Sequence, residues 1–389
     1  MMLKFVSPIL AIGICLIAIY PLRIRWWWKV ALSSMITLIS FKYTILYWIG
    51  KSSYMIPNVP GEIIRLAEWL FAVMLAWLIF LSPVFAGKVL IRLIFLIRKK
   101  KLPDNWREFG NQLNLFLLWC AVICASLGIF WGTCVPPVKE QTIFLKDLPP
   151  QAEGMKIAIL TDIHIDTFTE SRYIQEVVKR TNAAEPDLIV LLGDLVDGAN
   201  HKCCENIDLL SGLKAKYGVY GVPGNHEYYS GYDFWMEYFG NAGITMLLNQ
   251  STLLPNGVYL CGITDNTAAN TSRELPDPKG VARELPEQNC SILLAHRPSA
   301  AVNTKDYFDL QLSGHTHGGM IYGLDLILKY LNSGFVSGLY QVGDMQLYLS
   351  NGTFLWNRFP IRFGRFSEIS LIQLKNPNTK TTEDKKEQK

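Results

Sequence analysis

The chain is short of charge. Asp, Glu, Lys and Arg make up 18% of its 389 residues, the net charge is only +4, and 50% of the residues are hydrophobic. So weak a basic balance, with Lys and Arg gathered beside apolar runs, offers no footprint for nucleic acid. The cysteines lack pattern. None of the eight stands in a C-x-x-C spacing, which excludes thiolate metal modules. Cys15, Cys120, Cys124 and Cys134 lie in apolar stretches as small buried thiols, and the spacing of Cys261 and Cys290 fixes no disulfide. Histidine is scarce too: His164, His201, His226, His296, His315 and His317 are all there is.

The apolar excess lies in the first 137 residues. Four runs, at about 5–22, 30–49, 66–86 and 113–135, have the length that crosses a bilayer, about 20 residues. Trp26, Trp27 and Trp28 cluster at a run boundary, as interfacial aromatics do. Lys42 and Glu68 interrupt the runs and need interior facing or a partner. A cleaved leader fits poorly, because the first run lacks a small-residue cleavage site and three more follow. Arg23, Arg25 and Lys29 flank one loop, and Arg98 to Lys101 with Arg107 another. The positive-inside rule puts both in the cytoplasm and everything after the fourth run outside. This orientation holds if the third run, which continues to Ile97, is one segment. The expected organisation is a transmembrane region at 1–137, a folded domain at 150–375 and a polar, disordered tail at 376–389.

From Met155 the texture changes. "MKIAILTD", "PDLIVLLGD", "YGVYGVPGNHE", "NCSILLAHRP" and "FDLQLSGHTH" read as buried strands, with a helix over "SRYIQEVVKRTNAAE". Alternation of strand and helix indicates an α/β core. "GVYLCGI" and "MQLYLSNG" follow through turns and read as antiparallel.

Every one of the five strands ends in a metal-ligand type: Asp162 with His164, Asp194 with Asp197, Asn225 with His226, His296, and His315 with His317. Burying so many carboxylates and imidazoles is costly unless a cation gives them partners. The Asp/His/Asn set suits Mn²⁺, Fe or Zn²⁺. It is too large for one tetrahedral ion and points to two ions about 3.5–4 Å apart sharing a carboxylate.

The ordered series Asp162-x-His164, Gly193-Asp194-x-x-Asp197, Gly224-Asn225-His226-Glu227, His296 and Gly314-His315-Thr316-His317 resembles the calcineurin-like metallophosphoesterase superfamily, over about 155–320. The apolar prefix resembles its membrane-anchored branch. The resemblance implies a four-layer α/β/β/α sandwich behind a region of about four transmembrane helices. It implies Asp162, His164 and His317 on a first metal, Asn225, His296 and His315 on a second, and Asp194 bridging. His226 is then no ligand but the catalytic residue, a general acid or transition-state stabiliser. Two divalent ions, with Mn ahead of Fe or Zn, would acidify a bridging water whose hydroxide attacks phosphorus in line. The substrate expected is a phosphodiester or pyrophosphate, with a lipid-linked or envelope molecule within reach of the anchor and the bilayer as partner. The competing reading is a non-catalytic metal-binding sensor; a transporter is disfavoured by the few intramembrane charges. The oligomeric state is not legible.

Other residues take plainer readings. Asp197 either orients His226 or another ligand, or caps a turn. Glu227 is a helix-start acid, and His201 a surface residue. Met320 departs from the Gln common in related membrane-type sequences. Arg358, Arg362 and Arg365 read as a solvated basic face rather than a phosphate site. The aromatic stretch 227–240 reads as packing rather than as a lip for lipid.

Overall fold

The computed structural model describes residues 3–20, 22, 24–41, 61–101, 103, 105–166, 169–198, 201–355 and 361–378. It divides into two compact units, one reaching to Trp131 and the other starting at Gly132, with Ile361 grouped with the first.

The first unit is helical. α1 (Leu3–Ile14) runs on into a π turn (Cys15–Ile19), followed by α2 (Trp26–Ser40), α3 (Gly61–Ile97) and α4 (Trp106–Thr133). Among the described residues one stretch, Glu108–Thr133 in α4, is long and apolar enough to cross a membrane, where the sequence led to about four. In the first two runs the described helix covers Leu3–Ile14 continued by the π turn to Ile19, and Trp26–Ser40. Residues 42–49 of the second run, Lys42 among them, lie outside the described residues, as does the side chain of Glu68. The third run is one continuous helix to Ile97. Lys88 of α3 donates to Asn114 Oδ1 of α4 at 3.1 Å, so this basic residue has a polar partner within the unit.

The second unit is built on two six-stranded sheets. Its elements are β1 (Val138–Phe144), β2 (Lys156–Leu160), α5 (Ser171–Ala183), β3 (Leu188–Leu191), α6 (His201–Asp208), β4 (Val219–Gly221), α7 (Asn225–Ser230), α8 (Tyr232–Asn241), β5 (Thr245–Met246), β6 (Gln250–Leu253), β7 (Val258–Gly262), α9 (Pro278–Arg283), β8 (Cys290–Leu294), α10 (Ala301–Thr304), β9 (Leu310–Ser313), α11 (Leu324–Leu331), β10 (Gly338–Val342), β11 (Met345–Leu349) and β12 (Ile369–Lys375). The strand orders are β1-β12-β2-β3-β4-β5 and β10-β11-β9-β8-β7-β6.

Side-chain alternation along the strands builds the layers. Ile157 and Ile159 of β2 point into a core shared with Ile292 and Leu294 of β8 and Leu310 and Leu312 of β9, so the sheets pack face to face. Ala158 and Leu160 point the other way, against Ile174 and Val177 of α5, Ile207 of α6 and Trp235 and Phe239 of α8. On the far side, Cys261 and Leu293 pack with Val281 of α9 and Ala301 of α10. These are the α, β, β and α layers. Strands buried on both faces need apolar residues at every position, which is why they read as unbroken runs.

Parallel pairing positions the chemistry. β2, β3 and β4 run parallel, with Ile159 opposite Val190 and Val190 opposite Tyr220. β7, β8 and β9 do likewise. Each set therefore presents its carboxyl ends along one edge, where open α/β sheets bind ligands. The segments read as antiparallel are so only on one side. β7 is antiparallel to β6 but parallel to β8, and β11 is antiparallel to β10 but parallel to β9.

Candidate functional site

The backbone at the strand ends is strained. Asp162, His164, Asp194, His315 and His317 have positive φ, between 49° and 75°. They make up half of the ten non-glycine residues with positive φ among the described ones, so the strain is concentrated here. It costs about 1–2 kcal/mol per residue and clusters where function requires it. The glycines permit close approach. A Cβ on Gly314 would fall on the Thr161 hydroxyl and the Asp162 carboxylate, and one on Gly224 would fall on the Asp194 carboxylate.

Three groups of donors result. Asp162, His164 and His317 converge, with His164 Nε2 3.0 Å from His317 Nε2 and His317 Nε2 3.4 Å from Asp162 Oδ1. Asp194, His296 and His315 converge, with His296 Nε2 3.1 Å from His315 Nδ1 and 3.3 Å from Asp194 Oδ2. His164, Asp194 and His226 form a third group that shares residues with both others. Asp194 is the hub: its Oδ2 lies 3.9 Å from His164 Nε2 and 3.8 Å from His226 Nε2, while its Oδ1 accepts the His226 backbone N–H at 2.8 Å. All of these residues are buried except His315, which is half-buried.

Outer contacts fix the rings. His296 Nδ1 donates to Leu192 O at 2.7 Å and turns Nε2 inward. Asp197 Oδ1 sits 3.1 Å from His164 Nδ1 and also pairs with His226 Nδ1, so one buried carboxylate orients both rings. Of the two readings of Asp197, the geometry favours orientation. Glu227 is more than a helix-start acid. Its carboxylate accepts Gly224 N–H at 2.7 Å and Asp194 N–H at 2.9 Å on Oε2, and Leu195 N–H at 2.7 Å on Oε1. This joins the Asn225 loop to the Asp194 loop.

The electrostatics divide the histidines. Burial alone would lower the His226 pKa, but Asp197 and Asp194 overcome it and raise it to about 9. Against the same burial, Asp194 raises His296 to about 10. Burial and neighbouring positive charge hold His315 and His317 well below the usual histidine range. Burial pushes Asp162 up, whereas His164 and His226 outweigh it at Asp197 and hold that carboxyl below its usual range. Buried carboxylates that recruit positive charge, beside imidazoles held neutral, are a donor set that fits divalent cations.

Residues 155–319 match the model of the calcineurin-like phosphoesterases. A metallophosphoesterase of Helicobacter pylori (strain ATCC 700392 / 26695) is 33% identical over 288 residues, covering 72% of this chain and 73% of that protein. The chain belongs to the calcineurin-like metallophosphoesterase family. A Bacillus subtilis (strain 168) metallophosphoesterase is 33% identical over 254 residues, 61% of this chain and 85% of its own length. A Danio rerio protein named as a transmembrane protein with a metallophosphoesterase domain is 28% identical over 367 residues, 90% of this chain and 80% of its own length. The family and the donor groups together make this a metal-dependent phosphoesterase that uses divalent ions.

The structure corrects one plainer reading and bears on others. Arg362 is fully buried, not solvated. Its Nη1 donates to His317 O at 3.1 Å, and its Nη2 lies 3.1 Å from His317 Nδ1. Burial lowers its pKa to about 10. Arg365 pairs with Asp325 at 3.0 Å, and Arg358 lies outside the described residues. Cys261 and Cys290 are separate buried thiols. The aromatic stretch packs through Trp235 and Phe239, while Tyr229 stays exposed. His201 opens α6, and its side chain lies outside the described residues, as does the tail from 379. Sequence reasoning passed over Arg297, which donates to Asn225 Oδ1 at 3.0 Å and Asp265 Oδ2 at 2.8 Å. The available signal was its place directly after His296 at the same strand end.

Proposed function

We propose that the chain is a membrane-tethered phosphohydrolase that cleaves phosphodiester or pyrophosphate bonds with two divalent ions. The observation that carries this reading is the pair of donor groups meeting at Asp194. In it Asp162, His164 and His317 would hold the first ion, Asn225, His296 and His315 the second, and Asp194 would serve both. When bound, the ions, Mn²⁺ ahead of Fe or Zn²⁺, supply charge that polarises the phosphoryl oxygens and makes water a nucleophile at neutral pH.

The chain's own residues do the rest. His226, held at Nδ1 by Asp197, presents Nε2 to the leaving oxygen and donates a proton, or holds a nonbridging oxygen. Glu227 keeps the Asn225 and Asp194 loops in register, so the donors stay preorganised. The apolar helix Glu108–Thr133 and the relative named as a transmembrane protein support the tether. The fuller reading has about four spans, the Lys/Arg-rich loops in the cytoplasm and the catalytic domain outside, where a lipid-linked substrate is within reach.

The test is turnover by the full chain in detergent with Mn²⁺, against phosphomonoesters, phosphodiesters and pyrophosphate-linked nucleotides. Activity abolished by chelation and restored by Mn²⁺ is expected. A fully metal-loaded protein that turns over none of them is the non-catalytic sensor instead.

A further inference from the structure

Arg297 stands at the metal edge with a chemistry unlike that of a ligand. A guanidinium has five N–H donors and no acceptor. Its Nε donates to Asp265 Oδ2 at 2.8 Å, and Asp265 Oδ1 in turn accepts the backbone N–H of Thr267 at 2.8 Å. Nη2 donates to Asn225 Oδ1 at 3.0 Å and to Thr267 Oγ1 at 3.3 Å. Nη1 donates to His315 Nε2 at 3.1 Å. Asp265, nearly fully buried, thus fixes the fork from behind, and the two Nη groups face the edge.

Metal loading changes what Nη1 can do. His315 turns Nδ1 toward His296, so Nδ1 is the nitrogen that faces the cation position. A neutral ring that gives Nδ1 to a cation carries its proton on Nε2. Nε2–H cannot accept a hydrogen bond, so Nη1 loses its acceptor. The fork stays anchored by Asp265, with Nη1 free to take an oxyanion. Arg362 differs: it is fully buried and also donates to the His317 carbonyl. Arg297 is 27% exposed and borders a cavity of about 370 Å³ whose mainly apolar wall also holds Asp265, Asn266 and Ser299. A diester phosphoryl carries one charge, which two cations already meet. A fixed guanidinium at the metal edge matches further negative charge.

We propose that Arg297 binds a second phosphoryl group through Nη1 at this edge, so that the site prefers pyrophosphate-linked substrates to simple diesters. This rests on the two-metal reading above. The experiment is calorimetry on the full chain in detergent at fixed free Mn²⁺, with two probes: adenosine 5′-(α,β-methylene)diphosphate, whose P–C–P bridge resists hydrolysis, and dimethyl phosphate, whose methoxide leaving group makes turnover slow. Arg297→Gln is expected to weaken the diphosphonate by about 10- to 100-fold, as for loss of a charge-assisted bond, and dimethyl phosphate by less than about threefold. Arg297→Lys, which keeps the charge and loses the fork, is expected to fall between. Equal weakening of both probes, or no weakening, overturns the proposal. The Mn²⁺ titration of the same samples separates the two readings. Arg297→Gln should bind the second ion at least as tightly as the parent, since a competing positive charge is gone; loss of that ion makes Arg297 a buttress of the ligands and overturns the proposal. A parent that binds one ion only contradicts the two-metal reading itself.

Discussion

Asp197→Asn is the most informative change away from the ligands themselves. The substitution keeps volume and one carbonyl oxygen, so both imidazoles retain an acceptor at Nδ1. What it removes is a buried negative charge that touches His164 at 3.1 Å and also pairs with His226. Charge-assisted bonds contribute about 1.5–3 kcal/mol and neutral ones about 0.5–1.5, so each contact weakens by roughly 1–1.5 kcal/mol. Outer partners of metal-binding histidines typically account for about 10- to 100-fold in affinity, which agrees. We expect Mn²⁺ at the first site to bind about 10- to 100-fold more weakly. His226 should respond as well. Its pKa is raised to about 9 by Asp197 and Asp194 against burial, so loss of Asp197 lowers it. The alkaline limb of the kcat/KM profile then moves down by about 1–3 pH units, the usual effect of losing a nearby opposite charge. Stability follows the same sign. A raised histidine pKa stabilises the fold below its unfolded value of about 6.5, and the contribution fades as pH rises through about 9. Metal-free Asp197→Asn should therefore lose stability relative to the parent at pH 6 and approach it at pH 10. Calorimetric Mn²⁺ titration, a pH–rate profile and denaturation at the two pH values read all three effects. Parent-like metal affinity with an unmoved alkaline limb would refute the orienting role.

Further predictions concern single residues and topology. His226→Ala should keep both ions and lose about 10²–10⁴-fold in turnover, more with alkyl than with nitrophenyl leaving groups; loss of metal would instead make His226 a ligand, as its grouping with His164 and Asp194 allows. Glu227→Gln leaves at least one of three backbone N–H groups facing an amide NH₂ and should cost about 2–4 kcal/mol in chemical denaturation; an unchanged midpoint would show that the loops hold without it. A reporter fused after residue 375 should be translocated, and cytoplasmic activity of that fusion would reverse the proposed orientation.

The layered core was legible because its strands are buried on both faces, so "IAIL" after Lys156 and "LIVL" carry no competing polar signal. The strand-end residues were legible because polar ligand types interrupt those runs at one point each. Arg362 was not. It sits in "FPIRFGRF", where an arginine among aromatics reads as surface, and its carbonyl partner His317 is 45 residues away. Arg297 and Asp265 were missed likewise: their pairing at 2.8 Å joins two strand ends 32 residues apart in sequence. Hydropathy marked four apolar runs, but hydropathy carries no information on where helices break. Described helix is confined to Leu3–Ile14 with a π turn in the first run and to Trp26–Ser40 in the second, and only α4 keeps a full-length apolar window among the described residues.

The central claim is that two cations share Asp194. An anomalous difference map from crystals of the Mn²⁺-loaded protein, recorded at the manganese edge, tests it directly. The account predicts two peaks about 3.5–4 Å apart on either side of the Asp194 carboxylate, one beside His164 and His317 and the other beside His296 and His315. A single peak, or one bound through His226 in place of His296, would contradict it.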